Sequence, residues 1–500
     1  MLLFALLVLT AGPPLDLRYP LGLDHGWELQ KARMVNRGWT LYRDIWNDQP
    51  PLHTWVLSLL FRLGGEKAAW GCLLSLAAAL AVGWCVACCC VRGIAGPVGV
   101  SVALLLMFAS DPFLPLAISS QLIVPAAAAG MTAVCLAGWR RVPVRWAPLL
   151  AGAAMGIAAQ VKMTALLYGP ACAVILALRN PDEYAQEGWW GRLLRMAAFA
   201  LVVVISFLAV ALCWPGELQG LWTHFSPEMR AAFAHDLHFQ WAWFGSNPAL
   251  WALAASFPVA ANRRQWVRGF PFLVNIIMTL AILQVHRPAK GYYMVHMVVP
   301  ATILAAVSVQ AGWDALARWW GRGEMPPLTL GWLAGIGALF YGLLAAPAEL
   351  IHGLRRLHVR DLPHEREVLH RMQYCKRWSD WAFSLGAMPA FQAGMLTPPW
   401  TTVLPGKRIR LNPNVGDEVA ADITRWRPGA VYIPSSLVTE SVRSILDQQY
   451  QLVFQADQFL LYFRRDIATH YHEENPFASE RERDPRDNGS PFVNPPMGPG

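Results

Sequence analysis

Charged residues are scarce in this sequence. Asp, Glu, Lys and Arg make up 15% of its 500 residues, whereas an ordinary soluble domain carries about 25%. The shortage ends near residue 347, and charges are dense after that point. A run of soluble domains is therefore excluded for residues 1–347, which are predicted to form a membrane-embedded domain.

Several signatures of soluble enzymes are also missing. The chain contains no Gly-x-x-x-x-Gly-Lys-Ser/Thr, no Gly-x-Ser-x-Gly and no His-Glu-x-x-His motif. Without a loop that cradles phosphates, an ATP-driven pump is not expected, and neither is a nucleotide or redox cofactor. Four of the nine cysteines crowd at residues 85–90, at the end of an apolar run, with no second Cys or His pair nearby. They are interpreted as membrane-helix residues, and no metal ligands are assigned.

Long apolar runs recur along the first part of the chain. A transmembrane helix needs about 20 mainly apolar residues. The predicted spans are residues 67–91, 97–113, 116–139, 147–161, 164–178, 196–214, 248–261, 270–285, 292–312 and 328–346. Residues 1–12 are interpreted as a short first span, which gives about eleven transmembrane helices.

Basic residues indicate how these helices are oriented. Arg residues collect in one alternate set of loops, which the positive-inside rule places in the cytoplasm. The net charge of +8 therefore needs no nucleic-acid partner. The opposite set includes two long loops, residues 13–66 and 215–247, which should lie outside. We expect a multi-pass protein of a bacterial inner membrane, with these loops in the periplasm.

The rest of the chain is predicted to be soluble. Short apolar runs at residues 430–434, 451–454 and 459–463 are typical of strands, and residues 441–448 of a helix. Residues 348–466 should form a small extracytoplasmic α/β domain. Residues 467–500 are rich in charge and end in Pro and Gly, so they are predicted to be disordered.

Two carboxylates in the first outer loop are candidates for chemistry. Asp24 follows the first span, and Asp48 precedes Pro50-Pro51. Capping of a helix N-terminus is the alternative for both, since Asp begins helices well. For Asp24 the two interpretations are compatible, because each needs a fixed carboxylate.

Basic and aromatic residues on the outer side are candidates for anion binding. Lys162 interrupts an apolar stretch, where it either extends to the interface or binds an anion. A second segment concentrates polar side chains where cations should be sparse, and it forms either an interfacial anchor belt or a phosphate site. Its candidates are His286, Arg287, Lys290, Tyr292 and Tyr293.

Together these segments resemble the GT-C glycosyltransferases. The resemblance rests on Asp24, Arg43-Asp-Ile-Trp-Asn-Asp-Gln-Pro-Pro-Leu-x-x-Trp55, Gly156–Lys162, and Arg287–Tyr293 with Pro300. It is strongest to bacterial relatives of protein O-mannosyltransferases and of the lipid A aminoarabinose transferase. The soluble part is also similar, at Arg427-Pro-Gly-Ala-Val-Tyr432 and residues 450–464. This chain has Gln49 where the family often has Lys, and Gln121 where an acid is common.

The resemblance implies a fold and an activity. The fold would be a polytopic α-helical GT-C-like domain, with the small soluble α/β domain attached. Asp24 would act on the acceptor, and Lys162, Arg287 and Lys290 would bind the phosphate of a lipid-linked donor. The other substrate-binding candidates are Asp48, His286, Tyr292 and Tyr293. Whether the reaction requires a divalent cation is left open.

The implied function is transfer of a sugar from a polyprenyl-phosphate carrier to a protein, lipid A or glycan acceptor, with inversion. The leaving phosphate needs cations, and the acceptor hydroxyl needs a carboxylate. The alternatives are a polyprenyl-lipid transporter or flippase, and an inactive envelope-assembly component.

Overall fold

The architecture comes from a computed structural model, which describes residues 23–91, 94–110, 113–116, 122–178, 188–233, 239–286, 289–322, 330–358, 363–456 and 458–475. The predicted span at residues 1–12 lies outside the described residues, as does Arg287.

Helices dominate the first part of the chain. In order they are α1 (Leu23–Asn36), α2 (Leu52–Gly64), α3 (Ala69–Val91), α4 (Pro97–Ala109), α5 (Phe113–Leu116), α6 (Ile123–Ala137), α7 (Ala147–Val161), α8 (Gly169–Leu178), α9 (Trp189–Ala211), α10 (Glu217–Phe225), α11 (Pro227–Ala232), α12 (Pro248–Ala255), α13 (Phe257–Ala260), α14 (Arg263–Val285), α15 (Val295–Arg322) and α16 (Leu330–His358). Short 3₁₀ turns at Met163–Tyr168, Trp241–Ser246 and Gly291–Met294 lie between them.

Ten of the predicted spans lie wholly or partly within the described residues, and each of them overlaps a helix. Within the described residues, five helical stretches are long and apolar enough to cross a membrane: Ala69–Val91, Trp189–Ala211, Arg263–Val285, Gly291–Gly321 and Leu333–His352. Five shorter apolar helical segments accompany them. The total of about eleven spans stays a prediction.

The helix α15 forms the centre of the bundle. Its apolar stretch is 94% buried, against 11% for α9 at the periphery. Small residues let neighbours approach closely: a Cβ at Gly99 would lie 2.1 Å from the carbonyl oxygen of Ala306 in α15, and one at Gly156 would lie 2.6 Å from that of Val203 in α9. Such contacts are typical of helices packed in a membrane, where small residues allow close backbone approach.

The C-terminal part mixes helices and strands. It contains α17 (Pro363–Cys375), β1 (Ala382–Ser384), α18 (Met388–Gln392), α19 (Gly406–Leu411), α20 (Val415–Trp426), β2 (Ala430–Pro434), α21 (Glu440–Gln449), β3 (Tyr450–Ala456), β4 (Phe459–Arg464) and α22 (Arg465–Glu474). The sheet order is β1-β2-β4-β3, with β1 parallel to β2 and the other pairs antiparallel.

The predicted start of the disordered tail is wrong. Residues 467–474 belong to α22, which places Ile467, Ala468 and Tyr471 in the core beside the sheet. Apolar residues at this helical spacing bury one face although the segment is rich in charge. The remainder of the predicted tail, residues 476–500, lies outside the described residues.

Helix α1 docks directly on the C-terminal part. The indole of Trp27 donates a hydrogen bond to the carbonyl oxygen of Leu385 (2.7 Å), and Gln30 donates to that of Met395 (3.0 Å). Arg33 donates to the carbonyl oxygens of Phe391 (3.0 Å) and Met395 (3.1 Å). These bonds satisfy polar groups that docking removes from water.

Gly26 sets the distance of this docking. A Cβ at position 26 would lie 2.2 Å from both the carbonyl oxygen of Gly386 and the backbone nitrogen of Met388. We expect Gly26→Ala to lower the free energy of unfolding by about 1–3 kcal/mol, because backbone on both sides must move apart. Thermal unfolding of the purified protein measures the change.

The matched control is Gly169→Ala. A Cβ at Gly169 meets no atom within 4 Å, so this variant should unfold like the wild type. Equal stability of the Gly26→Ala and Gly169→Ala proteins would contradict the role given to Gly26.

Candidate functional site

A cavity of about 150 Å³ lies where the first outer loop, the helical bundle and the C-terminal part meet. We call it the basic cavity, because four lysines line it: Lys31, Lys162, Lys290 and Lys407. The remaining lining consists of Trp27, Glu28, Asn47, Asp48, Gln49, Leu122, Ile123, Phe233, Tyr292, Tyr293, Val403, Pro405 and Gly406.

The charges of the basic cavity do not balance. Among its described lining residues, four lysines face two carboxylates, those of Glu28 and Asp48. A surplus of two positive charges in a partly enclosed space attracts an anion of matching charge. The apolar and aromatic side chains around it limit water and strengthen that attraction.

Helix α1 contributes one wall through a buried ion pair. The ammonium group of Lys31 donates to Glu28 Oε1 (2.8 Å) and to Asn47 Oδ1 (3.0 Å). The hydroxyl of Thr54 donates to Glu28 Oε2 at 3.3 Å. Lys31 is 1% exposed, so its charge is held in place by these partners. An ammonium group carries three donors, which leaves one for a ligand in the cavity.

The segment Asn47–Gln49 forms the second wall. The carbonyl oxygen of Gln49 accepts from the Tyr42 hydroxyl (2.7 Å) and from Asn47 Nδ2 (2.7 Å). The side chain of Gln49 in turn accepts from Lys162 Nζ at 3.4 Å. Lys162 follows the last residue of α7 in an extended conformation, which carries its side chain away from the helix and toward the first outer loop.

Aromatic rings complete the side formed by the turn before α15. The ammonium groups of Lys162 and Lys290 lie 5.8 Å and 5.7 Å from the centre of the Tyr292 ring. Tyr292 and Tyr293 pack edge to face, with centroids 4.7 Å apart. Cation–π contacts of this kind stabilise both ammonium groups beside one ring without removing the charge of either.

The C-terminal part supplies the fourth lysine. Lys407, in α19, forms an ion pair with Asp48, and their side chains are 12% and 5% exposed. The N-terminal residue of α2 is preceded by Pro51, which makes no side-chain cap. Asp48 lies before this N-cap position, and its carboxylate lines the basic cavity.

Five of the residues predicted from the sequence meet in the basic cavity: Asp48, Lys162, Lys290, Tyr292 and Tyr293. His286 is not among the lining residues; its ring packs against that of Tyr293 at 5.7 Å. Arg287 lies outside the described residues. Asp24 is the second residue of α1, one helical turn before Glu28; its side chain is not described.

Sequence reasoning missed Glu28, Lys31, Asn47 and Lys407. Glu28 and Lys31 stand three residues apart, a spacing that pairs opposite charges on a helix and was a usable signal. No sequence pattern of this kind marked Lys407, because it lies far along the chain among other basic residues, in a segment typical of a solvated surface. Among the residues that the structure describes, no cluster of three or more His, Cys, Asp or Glu side chains is arranged to hold a metal ion.

A buried carboxyl group lies behind the second wall. Glu217, the first residue of α10, is fully buried beside Tyr42 and Gln160. Burial raises the pKa of Glu217 to about 7, and the nearby side chain of Gln160 opposes this only in part. Gly216 and Gly220 allow this approach, since a Cβ at either would lie within 3.1 Å of the Tyr42 side chain.

Solved structures share this fold. The crystal structure of ArnT from Cupriavidus metallidurans bound to undecaprenyl phosphate matches with a TM-score of 0.63 at 13% identity, covering 92% of this chain and 97% of that one. Its apo state matches at 0.61 and 15% identity, with the same coverage. The apo oligosaccharyltransferase of Archaeoglobus fulgidus matches at 0.55 and 11% identity, covering 88% of this chain and 69% of its own.

These proteins are GT-C enzymes, so the GT-C-like fold predicted from the sequence is confirmed. At such low identity the likeness establishes the fold and leaves the activity to the residues of the site. No family model and no curated protein sequence matches the chain.

The raised pKa of Glu217 predicts a pH-dependent stability. Its folded-state pKa of about 7 exceeds the ordinary value of 4.5, so the fold favours the neutral carboxyl. As pH rises from 4.5 to 7 the unfolded chain ionises first, and stability falls through this window. Glu217→Gln should therefore be more stable than the wild type at pH 8, by on the order of 2 kcal/mol, and not at pH 5.

Thermal unfolding at both pH values measures this difference. The exposed Glu228, on the next helix, provides the control: Glu228→Gln should gain no stability at pH 8. A Glu217→Gln protein whose stability relative to the wild type is the same at pH 5 and pH 8 would contradict the burial of a neutral carboxyl.

Proposed function

We propose that this chain is a membrane glycosyltransferase that moves a sugar from a polyprenyl-phosphate carrier to an acceptor on the periplasmic face of a bacterial inner membrane. The observation that carries the proposal is the basic cavity, which has four lysines and lies between the bundle and the C-terminal part. The ArnT structure of the same fold holds undecaprenyl phosphate, which supports a ligand of this class.

The charge of the cavity suits such a donor. A polyprenyl-phosphate sugar is a phosphodiester with one negative charge, and the released polyprenyl phosphate carries up to two. The surplus of two positive charges therefore matches the leaving group better than the donor. Preorganised cations that match charge developing in the transition state lower the barrier to reaction.

The proposed reaction is a single displacement with inversion. The acceptor oxygen forms a bond to the anomeric carbon while the bond from that carbon to the phosphate oxygen breaks. The electron pair leaves with the phosphate, which Lys162, Lys290 and Lys407 bind. The acceptor proton passes to a carboxylate, and Asp24 is assigned this role. Positions 24, 28 and 31 follow one another at helical spacing along α1, and Glu28 and Lys31 line the basic cavity.

Asp48 has a different part in this scheme. Its carboxylate is paired with Lys407, so it positions that lysine and is not assigned as the base. Glu28 likewise holds Lys31. An ammonium group has three donors, so each lysine can share its carboxylate partner with a phosphate oxygen.

Membranes supplied with a labelled polyprenyl-phosphate sugar test the proposed function. Label appearing in an envelope product means transfer, and supports it. Movement of the labelled lipid across the bilayer without a product means transport, and binding alone means an inactive component. Either of the last two outcomes overturns the proposal.

Lys162→Gln should weaken binding of undecaprenyl phosphate about tenfold, because one charge-assisted hydrogen bond to phosphate is lost. Titration of the purified protein in lipid nanodiscs measures the affinity. Lys67→Gln is the control, since Lys67 is an exposed lysine of the same outer region and should leave the affinity unchanged. Equal affinities of the wild type, Lys162→Gln and Lys67→Gln would show that Lys162 does not bind the phosphate.

Asp24→Asn should reduce transfer about 100-fold or more, because the amide cannot accept the proton of the acceptor. Undecaprenyl phosphate binding and membrane expression should stay at wild-type levels. Asp447→Asn, at an exposed carboxylate of the C-terminal part, serves as the control. Unchanged transfer by the Asp24→Asn protein would sink the assignment, and a shared loss in both variants would point to a general defect.

A further inference from the structure

A second cavity, also of about 150 Å³, lies beside the basic cavity. Three distant segments build it: Trp46 comes from the first outer loop, Thr223 from α10, and Trp400, Asn412 and Glu418 from the C-terminal part. Lys407 lines both cavities. The two cavities therefore adjoin each other at Lys407.

Arg408 fixes the walls of the second cavity. Its guanidinium lies 5.0 Å from the centre of the Trp46 ring and 5.1 Å from that of Trp400. It donates to the carbonyl oxygens of Trp400 (2.7 Å) and Val403 (3.0 Å), and to Glu418 Oε2 (2.7 Å). With its donors so engaged, Arg408 acts as a rigid support for both indoles.

Hydrogen bonds also fix the polar side chains of the second cavity. Glu418 Oε1 accepts from Asn412 Nδ2 at 2.9 Å, which orients the carboxylate and the carboxamide. Trp400 remains 37% exposed although Arg408 covers part of it. A ligand here would meet two indoles, a carboxylate and a carboxamide whose positions are set in advance, and such preorganisation lowers the cost of binding.

This combination of groups fits a carbohydrate. Indole rings are large, rigid and amphipathic, so they pack against the apolar C–H faces of a sugar ring. Carboxylate and carboxamide oxygens accept hydrogen bonds from its hydroxyls, and the amide nitrogen donates in return. An acyl chain would leave the carboxylate and the carboxamide without hydrogen-bond partners.

We propose that the second cavity binds the saccharide portion of the acceptor. The inference rests on the proposed function and deepens it, since it names the acceptor class. A saccharide in the second cavity would lie next to the basic cavity, because Lys407 lines both spaces. Transfer of Lys407 from Asp48 to the donor phosphate would open the partition between the two ligands.

The test compares Trp400→Ala with Trp378→Ala. Trp378 is a matched control, being a tryptophan of the same part that is 46% exposed and stacks on His470 at 4.6 Å. The purified full chain in nanodiscs is titrated with a neutral glucosamine disaccharide, with the same disaccharide carrying a phosphate ester, and with undecaprenyl phosphate. Saturation-transfer NMR reports each disaccharide.

The expected result is about tenfold weaker disaccharide binding by Trp400→Ala, with Trp378→Ala like the wild type. Undecaprenyl phosphate should bind all three proteins alike. Preference for the neutral probe indicates a glycan acceptor, and preference for the phosphorylated probe indicates a phosphorylated lipid headgroup. Both preferences support a saccharide site.

Two results overturn the inference: wild-type protein that binds undecaprenyl phosphate but neither disaccharide, or a Trp400→Ala protein that binds disaccharide like the wild type. Absence of undecaprenyl phosphate binding in the wild type would instead contradict the proposed function, so the two failures are distinguishable. Trp400→Phe retains an aromatic face and should keep most of the affinity, which separates loss of stacking from loss of folding.

Discussion

The close approach of helix α1 to the C-terminal part is the constraint on which both cavities depend. Gly26 permits the approach, and hydrogen bonds from Trp27, Gln30 and Arg33 to backbone carbonyls hold it. The same fourteen-residue helix docks on the C-terminal part and presents Glu28 and Lys31 to the basic cavity. Any shift of the C-terminal part along α1 would move Lys407 relative to Asp48.

The basic cavity concentrates charges that a stable fold would avoid. Lys31 and Glu28 are almost completely buried, and so is the Asp48–Lys407 pair. Removing two charges from water costs several kcal/mol per ion, and their attraction only offsets this when the geometry is favourable. Apolar residues of similar size would give a more stable protein. This cost is in agreement with the proposed function, in which the lysines bind an anion.

The sequence predicted the helical bundle and much of the sheet because apolar periodicity is local. Strands β2 to β4 lie where short apolar runs predicted them, whereas β1, three residues long, gave no pattern to read. Lys162 and Lys290 were recognised because a cation in an apolar region is costly and thus conspicuous. Lys407 and Trp400 could not be recognised in this way. Each lines a cavity together with residues of the first outer loop, more than 300 positions earlier, and no local sequence pattern predicts contacts over such separations.

The docking bond between Trp27 and Leu385 joins residues 358 positions apart, and this separation has a consequence for synthesis. A growing chain presents α1 long before residues 385–407 exist. Until that last segment has been made and delivered, Asp48 lacks its lysine and neither cavity is closed. A chain interrupted during translation before α19 would lack the wall that Lys407 contributes to both cavities, so neither cavity could form on a truncated product.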